Sequence, residues 1–434
     1  MEGFVDIPQY ESYKDTDFVW IGKVPEKWEV TKLGACLKPV SIKNKPEYPL
    51  LSITRELGVI ERDIENQGSN HNFIPDDLSG YKVLRNGQFG MNKMKAWQGS
   101  YGVSNYTGIV SPAYFVFDFC KPIEPRFFNW AIRSRLYVSY FGSASDGVRI
   151  GQWDLSKERM KAIPFILPST DEQKAISNFL DQKTEQIDEA IAIKEKQIVL
   201  LKERKQIIIQ KAVTQGLNPN VPMKDSGVVW IGDIPAHWNV LSLTKYSTRV
   251  DYRGKTPEKV DEGRFLLTAK NIKQGQIDYE ISKEYIFEKQ YEKVMSRGKP
   301  KVGDLLFTTE APLGGTALVD DPSVAIAQRI ILFRLADSLV SGYVNLYMQT
   351  PLFQNYLQRL GTGSTALGIK ASKLFLLKLI TPPKEEQIKI YRLSEDITKE
   401  SNSAMAVHQR QIEKLKEYKT TLINSAVTGK IKVA

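Results

Sequence analysis

Residues 14–30 of this chain read KDTDFVWIGKVPEKWEV, and residues 224–240 read KDSGVVWIGDIPAHWNV. Nine of the seventeen positions are identical, and two tryptophans occupy the same places in both copies. A match of this length at one constant offset indicates an internal repeat, so the chain is predicted to contain two copies of one folding unit. The tryptophans predicted to anchor the cores are Trp20, Trp28, Trp230 and Trp238.

A second pair of matching segments marks the end of each copy. A proline followed by a Glu-Gln dipeptide opens the segment, and Ala-Val-Thr closes it. Neither segment has an internal proline or glycine, which is typical of a long helix with defined ends. The repeated anchors are Pro168, Glu172, Gln173 and 212–214 in the first copy, and Pro382, Glu386, Gln387 and 426–428 in the second.

Both long segments carry a heptad pattern with the a/d spacing of a coiled coil. If the helices pair along their length, the connectivity requires them to run antiparallel, and the central positions Lys194 and His408 are predicted to lie close together. The alternative, two helices buried separately in globular cores, stays open. The predicted coiled-coil seam comprises Leu180, Thr184, Ile187, Ile191, Lys194, Ile198, Leu201, Lys205, Ile208 and Ala212, and Ser394, Thr398, Ser401, Met405, His408, Ile412, Leu415, Lys419, Leu422 and Ala426.

Short β-rich runs such as 113–119 and 329–335 alternate with Gly, Pro and Asn turns in the globular blocks. The predicted fold class is α+β: two mixed α/β globular domains separated by a pair of long antiparallel coiled-coil helices, with a pseudo-two-fold internal repeat. The predicted boundaries are 1–168 for the first domain, 169–216 for the central helix, 217–382 for the second domain and 383–434 for the C-terminal helix.

The composition is that of a globular protein with hydrophobic cores and a positive surplus. Of the 434 residues, 42% are hydrophobic and 25% are charged, which excludes a wholly disordered or collagen-like chain. The net charge is +10 and the isoelectric point is near 9.2. Because the two helical segments are almost neutral, the surplus belongs to the globular blocks and favours a polyanionic partner there.

Export and membrane insertion are not expected from the sequence. No apolar run approaches the roughly 18 residues that span a bilayer, and the opening MEGFVDIPQYE lacks the basic and apolar regions of a signal peptide. Cys36 and Cys120 are too few for a disulfide framework. A cytoplasmic location is the expectation.

Motifs that carry catalysis or metal binding are missing from the sequence. His71, His237 and His408 show no metal-ligand spacing, and no nucleophile elbow occurs. The stretch 363–368 lacks the Lys-Ser/Thr ending of a phosphate-binding loop. We therefore expect no catalytic residue, metal site or cofactor on this chain itself, which indicates a binding protein.

Two segments of the first block combine cations, amides and aromatic rings in a way that suits nucleic-acid contact. Residues 91–102 read MNKMKAWQGSYG, and residues 142–153 read GSASDGVRIGQW. The alternatives are a surface hairpin whose Trp97 caps the core and an ordinary helix-to-strand turn. The candidate DNA-binding residues of this block are Lys93, Lys95, Gln98, Ser100, Tyr101, Arg149 and Gln152.

The second block offers a comparable set of side chains. Arginine can bridge guanine O6 and N7, and asparagine or glutamine can bridge adenine N6 and N7. The loop 361–370, GTGSTALGIK, is the counterpart of 142–153. Each candidate is equally well explained as a solvated surface residue. The candidates are Arg253, Lys255, Lys270, Asn271, Gln328, Arg329 and Lys370.

These motifs together resemble the specificity subunit of type I restriction-modification systems, the HsdS family. The resemblance rests on WIGKVPEKW and WIGDIPAHW, on the helix entries LPSTDEQ and TPPKEEQ, and on the exits AVTQG and AVTGK. GIVSPAY at 108–114 and GDLL at 303–306 are also typical of its target-recognition domains. The resemblance covers essentially the whole chain, in the family's order of domain, helix, domain, helix.

The resemblance implies a non-catalytic subunit whose two target-recognition domains each read one half of a bipartite sequence in double-stranded DNA. It implies that the paired helices set the gap between the half-sites and dock two modification (methyltransferase) subunits, which restriction (translocase and nuclease) subunits join. S-adenosylmethionine, ATP and magnesium are then expected on those partners. Two other hypotheses stay open: a coiled-coil scaffold whose heads bind proteins without reading DNA sequence, and a stand-alone nuclease or RNA-processing enzyme with a degenerate motif.

Overall fold

The computed structural model describes residues 8–63, 74–149, 152–254, 257–363 and 367–433. The chain divides into two units. The first unit contains the residues up to Lys196 and those from His408 onwards, and the second unit contains Gln197–Val407. Each unit combines a globular domain with parts of two long helices, because the division runs through both helices.

The first half of the chain alternates short strands with short helices before one long helix begins. A 3-10 turn lies at Ala96–Gln98. The strands and helices are β1 (Tyr13–Asp15), β2 (Lys23–Pro25), β3 (Glu29–Lys32), α1 (Leu33–Cys36), β4 (Leu37–Val40), β5 (Leu51–Thr54), β6 (Gly58–Glu61), β7 (Lys82–Leu84), β8 (Phe89–Met91), β9 (Tyr101–Val103), β10 (Gly108–Val110), β11 (Phe115–Phe119), α2 (Pro125–Ile132), α3 (Arg135–Ser143), β12 (Ser145–Arg149), β13 (Gln152–Leu155), α4 (Lys157–Ala162), β14 (Pro164–Leu167) and α5 (Thr170–Gln215).

The second half follows the same plan and ends in a second long helix. Four 3-10 turns lie at Leu243–Lys245, Ala269–Asn271, Glu288–Gln290 and Ala371–Leu376. The strands and helices are β15 (Met223–Asp225), β16 (Asp233–Pro235), β17 (Asn239–Ser242), β18 (Ser247–Asp251), β19 (Arg264–Leu267), β20 (Ile272–Lys273), β21 (Gln276–Ile277), β22 (Tyr285–Ile286), α6 (Tyr291–Val294), β23 (Leu305–Thr308), β24 (Thr316–Leu318), β25 (Ala325–Ile326), β26 (Ile330–Leu335), α7 (Ser341–Met348), α8 (Pro351–Leu360), β27 (Lys378–Thr381) and α9 (Lys384–Val427).

The central sheet of the first unit has four antiparallel strands in the order β4-β11-β8-β9. Its aromatic side chains form the core with two helices: Phe89 packs on Phe128 of α2, and Tyr101 packs on Phe141 of α3. Helix α2 begins at Pro125, a residue whose fixed φ suits the first helical position. Strands β3 and β14 pair separately and bring the start and the end of the domain together.

The central sheet of the second unit has the order β18-β26-β23-β24, which repeats the order of the equivalent strands in the first unit. The pair β17–β27 likewise corresponds to β3–β14. The second unit also contains the parallel pair β19–β25 and a hydrophobic cluster that includes Leu266, Leu306 and Ile326, where the described part of the first unit has only a parallel bridge between Leu50 and Ile109. The two copies therefore share a framework and differ in the segments inserted into it.

One tryptophan of each repeat anchors the domain to the long helix that follows it. Trp28 is fully buried, and its Nε1 donates to Oε1 of Glu172 in α5 at 3.1 Å. Trp238 is equally buried and donates to Oε2 of Glu386 in α9 at 3.0 Å. The prediction of core anchors is right for these two residues.

The other tryptophan of each repeat lies in the turn between the first two strands. Trp20 is 72% exposed, so the prediction that it is a core anchor is wrong. Trp230 is partly buried, because its ring lies flat on that of Tyr356 in α8 with centroids 4.0 Å apart. A residue in a hairpin turn is left at the surface unless a neighbouring element covers it.

A repeated glutamine fixes the start of each long helix. Nε2 of Gln173 donates to the carbonyl oxygen of Pro168 at 2.9 Å, and Nε2 of Gln387 donates to that of Pro382 at 2.9 Å. The Oε1 atom of each glutamine accepts a backbone N–H from its own domain at 2.8 Å. Both side chains are buried, so the repeated dipeptide performs the same structural task in both units.

The long helices α5 and α9 run antiparallel within each unit. In the first unit, Trp28 contacts Glu172 at the start of α5, and a Cβ placed on Gly429, just past the end of α9, would lie 3.1 Å from its ring. In the second unit, Trp238 contacts the start of α9, and a Cβ on Gly216, after α5, would lie 3.2 Å from its ring. The predicted fold class, two mixed α/β domains with a pair of long antiparallel helices, is confirmed.

The seam positions of the two helices are buried or partly buried. Residues between the seam positions, such as Ile193 and Leu200, are exposed. Lys419 of α9 lies 2.6 Å from the carboxylate of Asp188 in α5. No helix in the described ranges is both long and apolar enough to cross a membrane. The buried seam residues include Leu180, Ile187, Ile191, Ile412 and Leu422, and the partly buried ones include Lys194, Ile198, Leu201, Ile208, Met405, His408 and Leu415.

Candidate nucleic-acid interface

A polar cleft of about 250 Å³ opens in the second unit. Three neighbouring strands of the central sheet, β18, β23 and β26, begin or end beside it because they are antiparallel. The cleft brings together four candidates from three separate segments of the sequence. Its lining consists of Arg253, Gly254, Thr309, Glu310, Gln328, Arg329, Thr362, Gly368, Ile369 and Lys370.

The cations of this cleft differ in how they are held. Nε of Arg329 lies 2.9 Å from Oε1 of Glu310. Nε and Nη2 of Arg253 donate to the two oxygens of Asp251 at 2.8 and 2.5 Å, and this hydrogen bonding raises the pKa of Arg253. Lys370 is exposed and has no ion-pair partner among the described residues. Arg253 is therefore held by two hydrogen bonds and Arg329 by one ion pair, whereas the exposed ammonium of Lys370 has neither among the described residues.

Arg329 adopts a backbone conformation that is uncommon for a side-chain-bearing residue. Its φ is +78°, in the left-handed region. The backbone N–H and the hydroxyl of Thr309 both donate to the carbonyl oxygen of Arg329, at 2.8 and 3.1 Å. A non-glycine residue in this region carries backbone strain, which the surrounding structure has to impose. Such strained residues are typical of functional sites.

The prediction that Asn271 contacts DNA is wrong. Its side chain is fully buried in the capping box of the 3-10 turn that follows Thr268. Oδ1 accepts from the backbone and the hydroxyl of Thr268, at 3.0 and 2.8 Å. Nδ2 donates to the carbonyl oxygens of Asp278 and Ser282, both at 2.9 Å. The polar atoms of Asn271 are thus used inside the domain.

Other candidates lie apart from the cleft or outside the described residues. Lys270 is exposed and does not line the cleft. Lys255 lies outside the described residues. Arg149 and Gln152 are paired in the register of the β12–β13 hairpin, and their side chains also lie outside the described part of the structure.

In the first unit, the segment 91–102 contributes both surface and core residues. Nζ of Lys93 lies 3.3 Å from the carboxylate of Asp154, and Lys95 is exposed. The partly buried Trp97 stacks on Trp153, with ring centroids 5.3 Å apart. The accessible part of this segment therefore consists of Lys95 and Met94, with the partly exposed Lys93 and the aromatic pair beside them.

The prediction that Ser100 and Tyr101 contact DNA is wrong. Ser100 is 2% exposed, and Tyr101 is completely buried between Phe89 and Phe141. Strand β9 lies against α2 as well as against β6 and β8. Side chains that alternate between the two faces of this strand therefore meet protein on both faces, and neither face is open to solvent at these positions. Gln98, just before the strand, is partly buried.

The first unit also holds a cluster of four lysines, of which sequence reasoning identified only Lys93. Nζ of Lys82 and Nζ of Lys157 each lie 6.0 Å from the centre of the Phe115 ring. Burial, and then the positive charges of Lys43, Lys157 and Lys93, lower the pKa of Lys82. The four residues Lys43, Lys82, Lys93 and Lys157 are named here the lysine cluster.

The lysine cluster carries a net positive charge. Within the described ranges, Lys93 has Asp154 as a carboxylate partner, while Lys82 and Lys157 form no ion pair. Uncompensated cations at short range repel one another, and a bound phosphate relieves that repulsion. No spacing in the sequence identifies this cluster, because its members come from separate strands, loops and helices.

The helical part of the first unit has the opposite charge. A groove of about 430 Å³ is lined by Trp130, Asp181, Thr184, Glu185, Asp188 and Glu189. Two of its four carboxylates, Asp181 and Asp188, form ion pairs with Arg126 and Lys419. This acidic lining suits a polyanion less well than the lysine cluster does.

Curated proteins with similar sequences include three specificity subunits, and no protein-family profile matches the chain. The type I restriction enzyme MjaVIII specificity subunit of Methanocaldococcus jannaschii is 23% identical and covers 97% of each chain. The putative MjaX specificity subunit of the same organism is 22% identical over 98% of this chain and 97% of its own. The EcoKI specificity subunit of Escherichia coli is 24% identical over 66% of this chain and 64% of its own.

Solved structures share the fold. The HsdS subunit from Thermoanaerobacter tengcongensis superposes with a TM-score of 0.60 over 96% of this chain and 100% of that one, at 16% identity. A chain from a structure of complex assembly and conformational transition in a type I R-M system gives 0.67 over 93% and 98%, at 15% identity. Along its whole length the chain is therefore similar in sequence to type I restriction enzyme specificity subunits, and it shares the fold of HsdS subunits.

Proposed function

We propose that this chain is the DNA sequence-specificity subunit of a type I restriction-modification complex and that each unit reads one half of a bipartite target. The observation that carries the proposal is one framework bearing two different cationic surfaces: the cleft of the second unit and the lysine cluster of the first. Because the framework is repeated, the two surfaces are built on equivalent scaffolds even though their residues differ. The curated relatives that span the whole chain are named for this role.

The two surfaces suit different parts of a duplex. The lysine cluster offers ammonium groups, which suit phosphate contact and carry little sequence information, and Nζ of Lys82 is held by a hydrogen bond to the carbonyl oxygen of Tyr114 at 2.6 Å. The cleft offers an arginine held by a carboxylate and the amide of Gln328, which suit the edges of bases in the major groove. Both kinds of contact are needed, because phosphate contacts supply affinity and base contacts supply specificity.

We propose two modification subunits as partners, one for each repeat. Val19 and Val229 occupy the same place in the repeated frame, and both are almost fully exposed. Neither valine contributes to a hydrophobic core, because both are exposed. Two equivalent apolar surface positions therefore offer two equivalent binding positions for one kind of partner. Val19→Asp or Val229→Asp is expected to remove one copy each, as measured by native mass spectrometry of the assembled complex.

Catalysis, in this proposal, belongs to the partners. S-adenosylmethionine would bind the modification subunits, and ATP and magnesium the restriction subunits. This chain would bind no cofactor and would position the others on the DNA. The site of action would be the cytoplasm, where the DNA is accessible.

A selection experiment tests the proposed function directly. The full chain, with the modification subunit encoded beside it, is incubated with a library of randomised duplexes, and the bound DNA is sequenced. The expected result is one bipartite motif with a fixed gap. Bound DNA that stays random while the protein is folded and the partner subunit is retained would contradict DNA reading and support a protein scaffold instead.

A further inference from the structure

We propose that Arg329 reads a guanine in the half-site of the second unit and that Glu310 positions Arg329 for this contact. The inference rests on the proposed DNA-reading function and names the base that one side chain recognises. Arg329 would be the specificity-determining residue, and Glu310 would act through it. The argument follows from the contacts of the guanidinium, its backbone and the charge beside it.

The guanidinium of Arg329 is held on one side and open on the other. Glu310 contacts it at Nε, and no described residue bonds to Nη1 or Nη2. These two nitrogens form the end-on fork that matches the O6 and N7 acceptors of guanine in the major groove. Arg253 differs, because Asp251 already occupies both its Nε and its Nη2.

The backbone fixes the point from which the side chain extends. The left-handed φ of Arg329 and the two hydrogen bonds that Thr309 donates to its carbonyl place its Cα at the rim of the cleft. A reader of bases gains from such restraint, because less conformational entropy is lost when the contact forms. A phosphate contact requires no such restraint, since a flexible lysine such as the exposed Lys370 makes it equally well.

The charge of Glu310 argues against phosphate as the ligand of Arg329. A carboxylate 2.9 Å from Nε repels an approaching phosphate but not the neutral edge of a base pair. The major-groove edge of a G·C pair also presents the N4 amino donor of cytosine, which a carboxylate oxygen accepts. Arg329 and Glu310 together are therefore complementary to one G·C pair.

The test uses the full chain with Arg329→Lys, Arg329→Ala and Glu310→Ala in the same selection from randomised duplexes. For Arg329→Lys and Arg329→Ala we expect the preference for guanine at one position of one half-site to fall about 5- to 150-fold, the range for one bidentate pair. All other positions should keep their preference. For Glu310→Ala we expect weaker discrimination at the same position, together with tighter binding of a random-sequence duplex, because a negative charge is removed.

Matched controls come from the same unit. Arg264 and Glu288 form an Arg–Glu ion pair that does not line the cleft, so Glu288→Gln should leave the motif unchanged. Arg359 is exposed on α8 and also lies outside the lining, so Arg359→Ala tests the loss of a positive charge alone. Thermal melting of each variant checks that the fold is retained.

Two results would overturn the inference. If Arg329→Lys and Arg329→Ala both keep the wild-type motif and affinity, Arg329 does not contact DNA. If Arg329→Ala weakens the binding of every sequence equally, Arg329 is a phosphate contact. A wild-type chain that selects no motif overturns the proposed function as well, whereas a wild-type motif that survives these substitutions overturns only the inference about Arg329.

Discussion

Nε1 of Trp238 donates a hydrogen bond at 3.0 Å to Oε2 of Glu386, a residue 148 positions later in the chain. Nε2 of His237 lies 2.9 Å from the same oxygen. One carboxylate at the first turn of α9 therefore ties the helix to the frame of its own domain. Trp28 and Glu172 make the same connection in the first unit, so the angle at which each helix leaves its domain has the same physical origin.

Glu386→Ala should destabilise the second unit. The substitution leaves the fully buried indole N–H of Trp238 without an acceptor, which costs about 1–3 kcal/mol. For a unit of this size, each kcal/mol lowers the melting temperature by roughly 2–4 °C. Thermal melting followed by circular dichroism measures the change. Glu385→Ala removes the exposed neighbouring carboxylate, and an equal shift in that variant would argue against the role of the hydrogen bond.

Ile191→Asp should separate the helices locally, whereas Ile193→Asp should not. Ile191 is 9% exposed in the seam, and Ile193, two residues further along the same helix, is 58% exposed. A charge placed in the seam loses hydration and leaves a cavity, at a cost of about 2–5 kcal/mol. Chemical denaturation of both variants provides the comparison. Equal stability of the two would show that this stretch of the seam contributes nothing to folding.

The sequence was sufficient for the architecture because the architecture is periodic. Heptad spacing alone placed Ile191 and Ile412 on the shielded side of their helices, and the structure buries both. The repeated frame likewise located Trp28 and Trp238. The repeat led to one wrong prediction, that Trp20 is a core residue. Trp20 lies in a turn, where exposure depends on whether a neighbouring element covers the residue.

The candidate sites were less accessible to sequence reasoning because they depend on strand packing. Tyr101 stands in a segment of lysines and glycines that resembles a surface loop, and yet β9 is covered on both sides. Lys82 and Lys157 lie far apart in the sequence and meet only at the ring of Phe115. The carboxylate that holds Arg329 likewise comes from a different strand end, so no local pattern indicates the pair.

Substitutions in the lysine cluster should weaken DNA binding in a way that depends on salt. Each phosphate contact removed by Lys82→Gln or Lys157→Gln is expected to lower the slope of log K against log salt by about 0.9. Fluorescence anisotropy with a random-sequence duplex over a range of salt concentrations measures it. Lys174→Gln removes an exposed lysine of α5 and should leave the slope unchanged. If the slope stays at the wild-type value in both cluster variants, the lysine cluster does not contact DNA phosphates.

DNA affinity should also fall as the pH rises through the range in which Lys82 titrates. Burial and the charges of Lys43, Lys157 and Lys93 lower the pKa of Lys82 in the free protein, and a bound phosphate would raise it again. Binding therefore takes up a proton at alkaline pH, and the affinity is highest below the pKa of the free state. Lys82→Arg keeps its charge at these pH values and should abolish this dependence. Binding measured against pH for both proteins is decisive, and identical profiles would show that Lys82 does not titrate on binding.

A comparison of alanine substitutions at Gly429 and Gly22 separates the effect of close packing at the end of α9 from the effect of backbone strain. Their φ angles are +71° and +70°, so alanine at either position meets the same left-handed penalty, roughly 1–2 kcal/mol. Space differs: a Cβ on Gly429 would lie 2.3 Å from Cδ of Pro25 and 3.1 Å from the ring of Trp28, whereas nothing lies within 4 Å of a Cβ on Gly22. Gly429→Ala should therefore lose a further ~1–3 kcal/mol through overpacking against Pro25. Urea denaturation of both variants measures the difference, and equal losses would mean that the end of α9 yields to the added methyl group and does not press on the tryptophan frame.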